Sequence, residues 1–193
     1  GNDFDRIAEG IAAGLPYGDL VKDFIVLKDT ELSRRAYDVL LDAITELKEG
    51  GAVVIPQVVL YDVDSKMAGM VDLMVIQPDG KIGIIDLKTS KNSVLTGVYE
   101  KQPWQLNADS LLKQKGVNEL TTKQQHGIQV SSYRRMAENL GYQMMDYQEG
   151  AVSTYHILVD IEEDKKTGEQ VFRDNFVKEN YHEHAPSDNL PYV

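Results

Sequence analysis

Apolar positions along this chain recur at two different spacings. In "TELSRRAYDVLLDAITELKEGG", Leu32, Ala36, Val39, Leu40, Ala43, Ile44 and Leu47 fall three and four residues apart. That period predicts an amphipathic helix stopped by Gly50 and Gly51. Thr30 is its expected N-cap, with Ser33 where a capping-box glutamate would otherwise stand. The opening "GNDFDRIAEGIAAG" reads as a shorter helix, ending near Gly14 or at the Pro16-Tyr17-Gly18 turn. The period then changes. "AVVIPQVVLYD", "MAGMVDLMVI" and "KIGIIDLKT" are three β-like runs, separated by polar turns at Asp64-Ser65-Lys66 and Pro78-Asp79-Gly80. They predict a meander of antiparallel strands. From Ser90 to about Gln125 the chain is polar, and a loop with a short helix is expected, anchored by Trp104, Leu106, Leu111 and Leu112. "KQQHGIQVSSYRRMAENLGY" predicts a helix closed by Gly141, and "AVSTYHILVDI" and "EQVFRDNFV" predict two further strands. An irregular tail is expected after them. This order implies a single α/β (α+β) domain over residues 1–193, with helices covering one mixed or antiparallel sheet.

The strand pattern contains an anomaly. Asp72 interrupts "GMVDLMVI" and Asp86 interrupts "KIGIIDLKT", each where an apolar residue is expected, and Lys88 follows Asp86 by two. Side chains alternate along a strand, so Asp86 and Lys88 share a face, and Asp72 is expected to share its face with Met70 and Met74. A hairpin can bring Asp72 beside Asp86, although the sequence does not fix the register. Two close carboxylates repel each other unless a cation lies between them. Hard oxygen ligands suit Mg²⁺ or Mn²⁺, and a neighbouring lysine can offset charge developing on a phosphate. Those are the parts of a metal-dependent phosphodiesterase. An isolated D-x-K triplet is equally what an exposed ion pair at a strand end looks like, so the surrounding sequence has to decide.

Composition narrows the field. A chain of 193 residues with 42% apolar and 26% charged residues is typical of a globular domain with a sizeable core. It contains no cysteine, which excludes disulfides, thiolate zinc sites and cysteine-ligated iron–sulfur clusters. No apolar run reaches membrane-span length and no signal pattern opens the chain, so a soluble cytoplasmic protein is the simplest expectation. The net charge of −11 argues against a polyanionic partner until its distribution is considered. Residues 1–80 carry 7 basic and 15 acidic side chains, residues 136–193 carry 4 and 12, and residues 81–135 carry 9 and 4. The one net-positive block therefore begins beside Asp86 and Lys88, where local charge can steer a nucleic acid.

With those residues in view, the sequence resembles the PD-(D/E)XK nuclease superfamily, and within it the RecB-like exonuclease branch. "GMVD" (Gly69 to Asp72) and "IIDLKTSK" (Ile84 to Lys91) match the branch's "GxxD" and "(D/E)-x-K-T" elements. "QVSSY" (Gln129 to Tyr133) matches its helical Gln-x-x-x-Tyr element, whose spacing puts both side chains on one helix face. The resemblance implies a restriction-endonuclease-like core and a Mg²⁺- or Mn²⁺-dependent DNA nuclease of the exonuclease kind, working in DNA processing, recombination or repair. It implies Asp72 and Asp86 as catalytic metal ligands, joined by the Leu87 carbonyl, and Lys88 as the catalytic lysine. Gln129 and Tyr133, with Lys91 and Arg134, would contact or position the DNA substrate. A larger protein or helicase partner would fit the branch, and the match at residue 1 implies that further sequence precedes this chain.

The match departs from the branch at two positions. Gln57 stands where many relatives carry an acidic ligand, and an amide is a poorer ligand than a carboxylate. Asp5 stands where the branch carries a histidine; either it ligates metal through oxygen or the alignment is accidental. Gln57 favours one alternative, a catalytically weak or inactive nucleic-acid- or protein-binding module of the same fold. An RNA endonuclease of the same superfamily is a second, and an unrelated acidic scaffold with a chance D-x-K is a third. Further candidates carry less weight. His182 and His184 alternate in a tail, His126 and His156 stand in no recognisable metal-ligand spacing, and Tyr99 and Trp104 could stack on bases. Lys113, Lys115, Lys123, Arg134 and Arg135 are candidate phosphate contacts.

Overall fold

The computed structural model of the chain describes residues 2–22, 27–91, 104–105, 113, 116, 118–163, 165–168 and 170–180. Helices α1 (Asn2–Ala12), α2 (Tyr17–Lys22) and α3 (Glu31–Glu49) precede strands β1 (Val53–Asp62), β2 (Met67–Ile76) and β3 (Ile82–Lys91). Short strands β4 (Trp104–Gln105) and β5 (Glu119–Leu120) follow, then helix α4 (Thr122–Asn139) and strands β6 (Val152–Glu163) and β7 (Gln170–Asn180). The five long strands form one sheet in the order β1-β2-β3-β6-β7. All neighbours are antiparallel except β3 and β6, which are parallel. Parallel neighbours need a long crossover, and α4 lies within it. The expected α/β architecture, a mixed sheet flanked by helices, is what the chain adopts.

The helices form where the apolar period and the caps agree. Thr30 caps α3 by accepting from the Ser33 N–H, as its position predicted. Thr121 and Gln124 cap α4 reciprocally, so the helix starts inside the segment expected to be loop. One short helix and one pairing escaped the sequence pattern. α2 is a six-residue helix burying only Leu20, too short to show a period. The β4–β5 pairing joins two-residue strands across a segment read as loop. Pro56 is accommodated because β1 is an edge strand, where one row of backbone groups has no partner strand.

Two apolar layers hold the helices to the sheet. On one face Phe4, Ile7 and Ile11 of α1 and Ala36, Leu40 and Ile44 of α3 pack on Val54, Leu73, Val75, Ile85 and Leu87. On the other, Val130, Tyr133, Met136 and Ala137 of α4 pack on Leu60, Val71, Met74, Ile82, Ile84 and Val152. Strict alternation fails in the middle of β1 and β2. Val54 packs under α1 and α3, whereas Val58 and Leu60 pack under α4. On β2, Val71 and Met74 both pack under α4, with Leu73 and Val75 on the opposite side. The change of face in β1 spans Gln57, whose backbone is left-handed at φ 51°. A strand residue in that conformation turns the pleat over, which costs a non-glycine residue roughly 1–2 kcal/mol.

Candidate active site

The sheet forks at its centre, and the fork creates the site. The β2–β3 ladder runs from Ile76↔Ile82 to Leu73↔Ile85 and stops there. One further step in register would set Asp72 opposite Asp86. Instead β2 remains with β1, from Val71↔Val58 to Met67↔Asp62. β3 remains with β6, from Asp86↔Thr154 to Lys91↔Val159. Separation of two strands leaves backbone donors without acceptors. Asp72 answers this directly, its Oδ2 accepting the Leu87 N–H at 2.7 Å. The carboxylate thus takes the place of a strand carbonyl and is held at the apex of the fork.

A cleft of about 360 Å³ opens there, lined by Asp5, Met70, Asp72, Asp86, Leu87, Lys88, Gln129 and Tyr133. Of the residues expected to act together, Asp72, Asp86, Leu87, Lys88, Gln129, Tyr133 and Asp5 therefore meet in one place. Asp86 comes from the strand face that α4 covers, two residues beyond Ile84, and its side chain is only 5% exposed. The Lys88 ammonium stands 2.7 Å from Asp86 Oδ2. That pair lacks the direction of a hydrogen bond, so Oδ2 is buried with an ion-pair partner and no well-aimed donor. A buried carboxylate oxygen in this position retains capacity for a further positive ligand.

Lys88 is oriented by α4. Its Nζ donates to Gln129 Oε1 at 3.0 Å, and Gln129 Nε2 donates to the Tyr133 hydroxyl at 3.0 Å. An ammonium can only donate, so the amide oxygen must face it and the amide nitrogen must face the phenol. Accepting from Gln129 leaves the Tyr133 proton available as a donor. Burial pushes the Tyr133 phenol above its ordinary value, which keeps it protonated at neutral pH.

Burial also dominates the carboxylates. It pushes Asp72 from 3.8 up to about 7, against the Leu87 N–H, and repulsion from Asp86 and Asp5 adds to the rise. Asp5 is likewise raised, chiefly by burial, while a hydrogen bond with Asp72 opposes the shift. α1 carries Asp5 to the cleft because Phe4, Ile7 and Ile11 lock the helix onto the sheet. The oxygens of Asp72 and Asp86, with the Leu87 backbone at the cleft wall, are the hard donors that could hold a divalent cation, and Lys88 stands beside them as a second positive charge rather than a ligand. Among the described residues, no group of three or more His, Asp or Glu side chains is arranged to hold a metal.

Other candidates lie elsewhere. Gln57 occupies the register position opposite Asp72, outside the β1–β2 pairing, and does not line the cleft. Arg134 stacks on Tyr147, 4.0 Å from the ring centroid, and donates to Glu138 and, at 2.8 Å, to the Met145 carbonyl. That guanidinium braces the segment after α4 and stands apart from the cleft. Met74, expected beside Asp72, packs under α4 instead, because the alternation of β2 breaks between Val71 and Met74. Met70, expected on the same face as Asp72, does line the cleft. Tyr99, Lys115, His182 and His184 lie outside the described residues, as do the side chains of Lys91, Trp104 and His156.

No helix of the described residues is long and apolar enough to cross a membrane. Comparison with protein-family models, with curated proteins and with solved structures finds no match for this chain.

Proposed function

We propose that the chain is a metal-dependent DNA nuclease with a restriction-endonuclease-like core, hydrolysing phosphodiester bonds at the fork of its sheet. One observation carries the reading. Asp72 and Asp86 converge at the point where β2 and β3 part, with Lys88 held beside them by Gln129. Burying two carboxylates and an ammonium together costs more than an apolar junction would. Nothing in the packing requires it, since the same strands hold Leu73 and Ile85 one step earlier.

In this reading Asp72 and Asp86 hold a Mg²⁺ or Mn²⁺ ion, and Leu87 adds its carbonyl oxygen. The bound cation supplies Lewis-acid polarisation of the phosphate and lowers the pKa of water. Lys88 offsets the charge gained by the phosphate oxygens as water attacks. Gln129 keeps that ammonium from swinging away from the cleft, and Tyr133 fixes the amide. The orientation is set before substrate arrives, which is where such a site gains most of its rate. Asp5 adds a third oxygen on the α1 side of the cleft and shapes the water around the site.

The test is cleavage of end-labelled linear and closed circular DNA with Mg²⁺, Mn²⁺ or EDTA, with Asp86→Ala as the control. Metal-dependent loss of DNA that vanishes in the variant is expected, and sparing of circles would make the enzyme an exonuclease. Cleavage of RNA alone in a parallel assay would move the assignment to an RNA endonuclease with the same site. Absence of cleavage with either metal would refute the nuclease. The second reading, a binding module with the same fold, is favoured by Gln57, an amide at the matching position of the resemblance that does not line the cleft and so adds no oxygen to it.

A further inference from the structure

Gly69 is a glycine inside a strand, where the lack of a side chain weakens packing and usually marks a close approach. It pairs with Leu60 across β1 and β2, three residues before Asp72. A Cβ placed on it would stand 2.5 Å from Cε1 and 3.3 Å from Cδ1 of Tyr133, with Met136 Cε at 3.5 Å. The first distance is far inside contact. The obstructing atoms belong to a ring that is only 9% exposed, packed with Val71 and Met136, and tied at its hydroxyl to Gln129. Such a ring has two torsions and nowhere to swing, so an added methyl must displace it together with whatever it holds.

We infer that Gly69 is a positioning residue for Lys88, acting through Tyr133 and Gln129. The vacancy over Gly69 lets the Tyr133 ring lie against β2, which sets the height of its hydroxyl. The hydroxyl fixes the Gln129 amide, and the amide oxygen fixes the Lys88 ammonium 3.0 Å away. The relay converts a missing side chain on one arm of the fork into the placement of a charge on the other. Its kinetic consequences rest on the nuclease reading; the relay itself is a property of the folded chain.

Two measurements on the full chain test it. The first follows the side-chain amide resonance of Gln129 and the ammonium resonance of Lys88 by nuclear magnetic resonance. Gly69→Ala should shift both, and Tyr133→Phe, which adds no atom and removes only the hydroxyl, should shift the Gln129 amide. The second is a double-mutant cycle on kcat for DNA cleavage. Gly69→Ala and Gln129→Ala should each lower kcat by about 100-fold with KM little changed, the scale of an ångström's misplacement. The double variant should fall no further than the worse single one. Unmoved Gln129 and Lys88 resonances in Gly69→Ala, or an unmoved Gln129 amide in Tyr133→Phe, would overturn the relay, as would losses that multiply in the double variant. If the wild-type chain cuts no DNA the nuclease reading fails alone, and the resonances still decide the relay. Should Gly69→Ala not fold, Tyr133→Phe decides by the same two readouts.

Discussion

Replacing Asp72 with asparagine should stabilise this protein at neutral pH, an unusual outcome for removing a charge from a candidate active site. Burial pushes the Asp72 carboxyl from 3.8 up to about 7. The folded chain therefore holds this proton more tightly than the unfolded chain does. The sign follows directly: stability from this group is full below about pH 4 and is lost as pH rises through about 7. Taken whole, the interval between 3.8 and about 7 is worth roughly 4 kcal/mol. Asp72 lies in an open cleft and keeps part of its surface in water, so screening reduces the figure to about 2 kcal/mol. Asparagine has the same shape, and its oxygen can still accept the Leu87 N–H that the fork leaves behind. Urea unfolding of both proteins without divalent cation is the assay. The two should agree near about pH 4 and differ by about 2 kcal/mol, in favour of Asp72→Asn, near about pH 8. Millimolar Mg²⁺ should close the gap by compensating the wild-type carboxylates. Parallel stability curves, or a less stable variant at the higher pH, would refute the claim that Asp72 is held in the fold at an electrostatic cost.

Two other substitutions probe the same fork. Lys88→Met keeps the methylene stem but leaves Asp86, 5% exposed, without its cation; a loss of about 3–5 kcal/mol in urea unfolding is expected. DNA cleavage should disappear with it, and unchanged stability would show that the ion pair carries no weight. Gln57→Gly should stabilise the chain by about 0.5–1 kcal/mol, because glycine adopts the left-handed backbone without a clash yet loses more freedom on folding. A shift of the urea midpoint at constant slope would support this, and a lower midpoint would show that the Gln57 side chain makes a compensating contact.

Most of the scaffold could be read from the chain, because its long elements obey one period each. α3 shows seven apolar positions at helical spacing and a Thr30 cap; the cap forms, Ala36, Leu40 and Ile44 are buried, and Val39, Ala43 and Leu47 pack against the core partly buried. The three-strand meander was visible in its turns at Asp64-Ser65-Lys66 and Pro78-Asp79-Gly80. What sequence could not supply was the crossing of those periods. Nothing in "IPQVVL" announces that Gln57 is left-handed, since glutamine is an unremarkable strand residue on either side of that conformation. Alternation puts both Met70 and Met74 beside Asp72; the structure keeps Met70 in the cleft and packs Met74 under α4. The candidate site was legible as residue types: Asp72, Asp86 and Lys88 break the strand pattern, and Gln129 and Tyr133 stand out only through the resemblance of "QVSSY" to a Gln-x-x-x-Tyr element. Their order of contact was not, since it depends on where one ladder of hydrogen bonds ends.

Under the proposed reading, that end point is where regular strand pairing gives way to the site. On β1, β2 and β3 and around the cleft between them the chain tolerates a left-handed glutamine, three clustered carboxyls, an ion pair without hydrogen-bond direction, and a glycine in mid-strand. Each is unfavourable alone, whereas Val54, Leu73, Val75, Ile84 and Ile85 on the same strands are buried as apolar side chains should be. A sheet selected only to fold would have continued the ladder through residues 72 and 86 with two more apolar side chains. Of these, the carboxyls and the ion pair face the cleft, while Gln57 and Gly69 lie on the strands beside it, and under the proposed reading such violations are what a site produces when geometry is chosen over stability. The stability forgone there is the quantity that Asp72→Asn and Gln57→Gly should return.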